Sequence, residues 1–217
     1  DKQGIRMVEA ESARVRFSFF AMLGTQPAAG VDEVVVKHAA VTLAQRTDGH
    51  WNYEDLVRED SEPSAFRGKV QVEDSQVMGR LDGHSLTLEN VQAKLDFADA
   101  AATVIEAKAA HQGAEVSASG KVGEDIRLSV DGREFNLMDY LQYLPEGTLP
   151  SSVKLLGGRI DHVSAVVQRK DGVLTYSGRA EASHGEVQLL GTAVQNITGM
   201  VEFSEKELSV FGSGEAS

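Results

Sequence analysis

From Phe66 onward the chain alternates apolar and polar residues with a period of two. In "KVQVED" the alternation puts Val70 and Val72 on one face, and in "SLTLEN" it does the same for Leu86 and Leu88. "VQAKLDFAD" groups Val91, Ala93, Leu95 and Phe97 against Gln92, Lys94 and Asp96. "DIRLSVDG" groups Ile126, Leu128 and Val130, and "VEFSEKELSVFG" repeats the pattern with Val201, Phe203, Leu208 and Val210. Segments of this kind are strands with one apolar and one wet face. Asp-Gly pairs stand beside these runs at Asp48-Gly49, Asp82-Gly83, Asp131-Gly132 and Asp171-Gly172. Asp-Gly suits the positive φ angles of tight hairpin turns. The expectation is a mostly β chain, a long antiparallel meander with very few helices.

Three short segments interrupt the alternation: "SFFAMLG" from Ser18, "NYEDLVR" from Asn52 and "NLMDYLQYLP" from Asn136. The last two belong to a repeated phrase, "WNYEDLV" and "FNLMDYL". Each copy reads as a helix start. Asn52 or Asn136 is the expected N-cap, accepting from a first-turn N–H. Asp55 or Asp139 falls at the third helical position, near the positive end of the helix dipole. Trp51 with Leu56, and Phe135 with Tyr140, hold the two places of a hydrophobic staple. Capping accounts for every notable residue of the phrase, so it is read as structural and not catalytic. A second repetition pairs "LENVQAKLDFAD" with "VQNITGMVEFSE", matching Asn90 to Asn196 and Phe97 to Phe203. His38 and His162 also follow similar strand contexts and read as surface strand positions before metal ligands. Internal repetition suggests an architecture that grows by adding similar units. The expected breaks lie at "REDSEPSAF" and "LPEGTLPSS".

Composition narrows the function. The formal charge of -12 disfavours nucleic acid and docking on anionic headgroups, both of which need clustered Lys and Arg. It leaves contact with acyl chains open. There is no cysteine, hence no disulfide, thiolate nucleophile or cysteine metal site. No two of the six histidines stand at helical i, i+4 spacing. No phosphate loop or nucleophile elbow is present, and the 33 carboxylates alternate with apolar residues as a solvated face does. The expectation is a non-enzyme with no cofactor and no metal. The apolar face is the remaining functional feature. Many of its positions are small, such as Ala93, Ala107, Ala118 and Ala180, which fill a two-sided core poorly.

"VRFSFFAMLG" followed by "VDEVVVKHAAVTLAQRTDGHWNYEDLV" resembles the N-terminal module of AsmA-like and TamB-like proteins of diderm bacteria. The positions carrying the likeness are Asp48, Gly49, Trp51, Asn52, Asp55 and Leu56. The later strands resemble that family's repeating β-groove. The resemblance implies a long curved antiparallel sheet with two or three short helices and an apolar lumen. It implies an N-terminal module over residues 1–60 and a repeating groove segment over 61–217. It further implies a periplasmic segment, tethered to the inner membrane by a helix preceding this sequence, that carries phospholipid toward the outer membrane. Phospholipid acyl chains are the expected ligand. Val70, Val72, Leu86, Leu88, Leu95, Phe97, Leu128 and Val130 are the expected lining. The alternative is an interaction scaffold that assists an outer-membrane barrel protein, with edge strands as its contacts.

Overall fold

The computed structural model describes residues 7–19, 27–46, 52, 66–81, 84–141 and 152–216. Within them the chain is mostly β, with almost no helix. The strands are β1 (Val8–Phe17), β2 (Val31–Ala44), β3 (Lys69–Leu81), β4 (His84–Asp96), β5 (Ala102–His111) and β6 (Ala114–Gly123). They continue as β7 (Ile126–Asn136), β8 (Val153–Lys170), β9 (Val173–Leu189), β10 (Thr192–Ser204) and β11 (Leu208–Ala216). They form one open 11-stranded sheet whose hydrogen-bonded order follows the chain. A 3-10 turn spans Pro27–Gly30, and the helix α1 spans Leu137–Tyr140.

The chain divides into two compact units. The first comprises Asp1–His111 with Ser119–Glu124, and the second Gln112–Ala118 with Asp125–Ser217. The boundary expected at residues 60 and 61 falls inside the first unit, between β2 and β3.

One strand pair departs from the expected antiparallel meander. β2 and β3 are parallel, from Glu33 opposite Lys69 to Ala44 opposite Arg80. Parallel neighbours cannot be joined by a hairpin and need a crossover connection. The segment between Ala44 and Lys69 is that connection, and it contains the phrase "WNYEDLV". The alternation of apolar residues could not reveal this, because it is the same for either strand direction.

Several strands are interrupted by residues in the left-handed region. In the first unit these are His38 (φ 49), Asp74 (φ 46) and Asn90 (φ 52), on β2, β3 and β4. Lys37 pairs with Glu73 and Ala40 with Gln76, so the β2 and β3 irregularities share one level. The β3–β4 register shifts on either side of Ser75. In the second unit Glu134 (φ 63), His184 (φ 53) and Asn196 (φ 54) interrupt β7, β9 and β10. A bulge bends the strand and leaves ladder groups to be satisfied otherwise. Buried Ser75 does this in the first unit. Its hydroxyl accepts from the Ala39 N–H at 2.9 Å and donates to the Glu73 carbonyl at 2.8 Å.

Of the four Asp-Gly pairs, Asp171-Gly172 forms the expected turn, with φ of 51 and 77. Asp131-Gly132 does not; it lies inside β7. There the Phe135 ring covers Gly132 so closely that a Cβ would collide with it. Gly132 is therefore a seat for a ring and not a reversal. The Asp48 and Asp82 pairs lie outside the described residues.

Candidate functional site

Residues directly opposite in a sheet project to the same face, so the register assigns the faces. In the first unit Val34 faces both Val15 and Val70, and Val36 faces both Ala13 and Val72. Val70 continues to Leu95 and Val72 to Ala93; these lead to Ile105 and Ala107. Past the bulges the same face carries Val8, Val41, Val77 and Leu88 in successive pairs. The opposite face holds Arg16 against Glu33, Lys37 against Glu73 and Lys69 against Asp96, all register partners forming ion pairs. Such exposed pairs contribute about 0–1 kcal/mol each, so they mark the wet face more than they hold it.

The second unit is built the same way. Leu128 faces Val167 and Val130 faces Ala165. Val163, Ala180 and Val201 form one row, and Val201 continues to Val210. The small residues here have a local cause. A Cβ on Gly178 would lie 2.5 Å from the Phe203 ring and 2.6 Å from the Ser164 carbonyl. Phe203 thus packs closely against a glycine, as Phe135 does against Gly132. Part of the space left by small residues is filled by neighbouring rings.

All eight residues expected to line the apolar side fall on or beside it, divided between the units. Val70, Val72, Leu88 and Leu95 are half-buried on the first unit's apolar face, and Leu86 is more exposed there. Phe97 lies just beyond β4. Its ring meets Phe66 at 5.2 Å and its N–H bonds the Gly68 carbonyl, so it closes the end of the sheet. Leu128 and Val130 are half-buried in the second unit. The periodicity missed six more: Val8 and Val15 on β1, Val34 and Val36 on β2, and Val163 and Val167 on β8. For β2 the signal was obscured. Three consecutive valines and then the His38 bulge break the period, so Val36 and Ala39 share a face although they differ in parity.

What covers these faces is decisive. Among the described residues the buried hydrophobic side chains are Met7, Ala39, Ala44, Val91 and Ala114. Each unit therefore presents a sheet whose apolar side is half-covered, with Val8, Val15, Leu174, Val210 and others exposed.

Asn136 caps α1 as expected; its side chain accepts from the Met138 N–H at 3.2 Å. Asp139 stands in the first turn, and Phe135 meets Tyr140 edge-on at 5.2 Å, completing the staple. Asn52 has another task. It is fully buried, its Oδ1 accepts from the Ala44 N–H at 3.0 Å, and its Nδ2 donates to the Thr42 carbonyl at 2.8 Å. The carboxamide thus pairs a backbone donor and a backbone acceptor at the end of β2. The residues that Asn52 was expected to cap lie outside the described residues. Trp51 and Asp55 lie outside the described residues.

The histidines stand apart from one another in role. His38 Nδ1 lies 2.8 Å from a Glu11 carboxylate oxygen, and His162 Nε2 lies 3.3 Å from Asp131 Oδ1. His38 occupies a left-handed bulge, and His184 shares that conformation where His162 does not. On the wet side of β8 and β9, His162, Ser164, Ser177, Arg179 and Glu181 border an open depression of about 420 Å³. Nearby, hydrogen bonds from Ser183 and Arg159 hold the Asp161 carboxyl below the usual aspartate range. Among the described residues no group of three His, Asp or Glu side chains is placed to hold a metal ion. No helix among them is long and apolar enough to cross a membrane.

Comparison with family models, with curated proteins and with solved structures finds no match.

Proposed function

We propose that this chain binds lipid acyl chains on the apolar faces of its sheet and acts as a non-enzymatic phospholipid carrier in a bacterial envelope. The observation that carries the reading is the half-covered apolar face, repeated in each unit and opposed by an ion-paired wet face. Valine and leucine rows left open to water are unfavourable unless something apolar covers them. Each acyl CH₂ moved out of water onto such a surface contributes about 0.8 kcal/mol. Rows of similar side chains offer many near-equal positions, so a chain can slide without one deep trap. The resemblance to AsmA-like and TamB-like proteins points the same way. On that reading the segment is periplasmic, is tethered to the inner membrane in the full protein, and forms part of a curved groove leading toward the outer membrane.

The test is mass spectrometry of lipid extracted from gently purified protein, with fluorescent acyl probes as a second arm. Co-purifying phospholipid and saturable probe binding are expected. A lipid-free chain that also fails to take up the probe contradicts the proposal.

One observation favours a second reading, an interaction scaffold for an outer-membrane barrel protein. β1 and β11 end the strand order, every residue of β1 is exposed, and Val210 and Phe211 project from β11. Exposed edges of this kind are templates for strand addition. Lipid-free protein that captures a barrel protein through either edge would favour this reading.

A further inference from the structure

Among the described residues three turns place consecutive residues in the left-handed region, the second of them glycine: Gln112-Gly113, Asp171-Gly172 and Leu190-Gly191. In the last two the flanking residues pair directly, Lys170 with Val173 and Leu189 with Thr192. These are two-residue hairpins, whose first position favours Asn, Asp or Gly. Gln112 and Asp171 are polar at that position. Leu190 is not. Its φ is 48, a conformation that a bulky side chain adopts at a cost. It is also 87% exposed, with Leu189 beside it 40% exposed. Its backbone is fixed as well, since the Leu190 N–H donates to the Ser152 carbonyl at 3.1 Å. Strain and exposure are both unfavourable in water, and neither is needed for the turn, since Asp171 makes the same turn without an apolar side chain.

The surrounding charge indicates what the tip meets. A quarter of the chain is charged, yet no charged residue lies between Glu186 and Glu202. The tip, the end of β9 (Val187–Leu189) and most of β10 (Thr192–Val201) are therefore uncharged in a protein of net charge -12. A protein pocket would not require a charge-free hairpin tip. A bilayer would, because charged side chains are costly among acyl chains and acidic ones are repelled by anionic headgroups.

We propose that the β9–β10 hairpin tip is a membrane-contact site, in which Leu190 and Leu189 insert among the acyl chains of a bilayer. The site is independent of what the apolar faces hold.

The chain has no cysteine, so single-cysteine variants report cleanly. Leu190→Cys, Asp171→Cys and Gln112→Cys would each carry a polarity-sensitive nitrobenzoxadiazole label. Each would be mixed with phosphatidylcholine vesicles, with and without phosphatidylglycerol. Emission is expected to rise severalfold and shift to the blue at 190, and to stay unchanged at 171 and 112. No rise at 190, or an equal rise at all three, overturns the proposal. So does a rise at 190 that follows protein concentration without vesicles, which would seat the tip in a second copy. An unlabelled Leu190→Asn variant supplies the second arm. It relieves the strained turn, so its thermal midpoint is expected to rise. Its co-flotation with vesicles should fall about tenfold or more, the effect of withdrawing one leucine from acyl surroundings. A variant that floats like the wild type overturns the proposal.

Discussion

Asn52 accepts a hydrogen bond from the Ala44 backbone N–H while wholly buried, and its amide nitrogen returns a bond to the Thr42 carbonyl. One side chain from the crossover thus satisfies a donor and an acceptor at the end of β2. Asn52→Ala leaves both backbone groups buried without partners, at about 1–3 kcal/mol for each. A loss of about 2–6 kcal/mol in urea unfolding is the expected result. Asn52→Asp keeps the acceptor but removes the donor and buries a charge, so it should be no milder.

Asn90 and Asn196 hold matching left-handed positions inside β4 and β10. Asn tolerates that conformation and β-branched residues do not. Asn90→Gly should change stability by no more than about 0.5 kcal/mol, and Asn90→Val should cost about 1–2 kcal/mol. Paired chemical denaturation curves separate the two. Equal losses would show that the Asn side chain, and not its backbone, holds the bulge.

Gly178 tests the ring-over-glycine packing. In an unobstructed strand Gly→Ala is favourable by roughly 0.5–1 kcal/mol. Here the added Cβ meets the Phe203 ring and the Ser164 carbonyl. The collision decides the sign, and Gly178→Ala is expected to destabilise by about 1–3 kcal/mol in thermal or urea unfolding. Combining it with Phe203→Leu should recover part of the loss.

Asp161 supplies the pH test. Ser183 and Arg159 favour its ionised form, so its folded pKa lies below the unfolded value. The stability it contributes is therefore present above the ordinary aspartate range and is lost as pH falls through the folded pKa. The group is more than a third exposed, so the contribution is held below about 1 kcal/mol by solvent. Asp161→Asn should lower stability slightly at pH 7, and the difference should shrink and vanish as pH falls through the folded pKa of Asp161. A difference that grows on acidification would contradict this.

The sheet was legible because alternation reports a face whatever lies opposite. It is blind to strand direction, which is why the parallel β2–β3 pair was not anticipated. It is also blind across a bulge. His38 reverses parity inside "VVVKHAAV", and so hid the part of the apolar face that β2 contributes. The matched Asn90 and Asn196 were visible as a repeat, but their cause, a left-handed backbone at both, is conformational. Local grammar served where partners are local: Asn136, Phe135 and Tyr140 cap and staple α1 as their spacing indicates. It could not foresee the bonds of Asn52 to Thr42 and Ala44, which lie on another element. Asp131-Gly132 misled although its partner is local, since the glycine lies inside β7 and seats the Phe135 ring instead of making a turn.

The central claim is that one face of this sheet, and not the other, holds acyl chains. A photo-crosslinking amino acid placed singly at Val72, Leu95, Gln71 and Lys94 tests it directly. Val72 and Leu95 belong to the apolar face, while Gln71 and Lys94 are register partners on the other. After irradiation in phospholipid vesicles, mass spectrometry should find lipid adducts at 72 and 95 and none at 71 and 94. Adducts equal on both faces, or absent from all four, would contradict the claim.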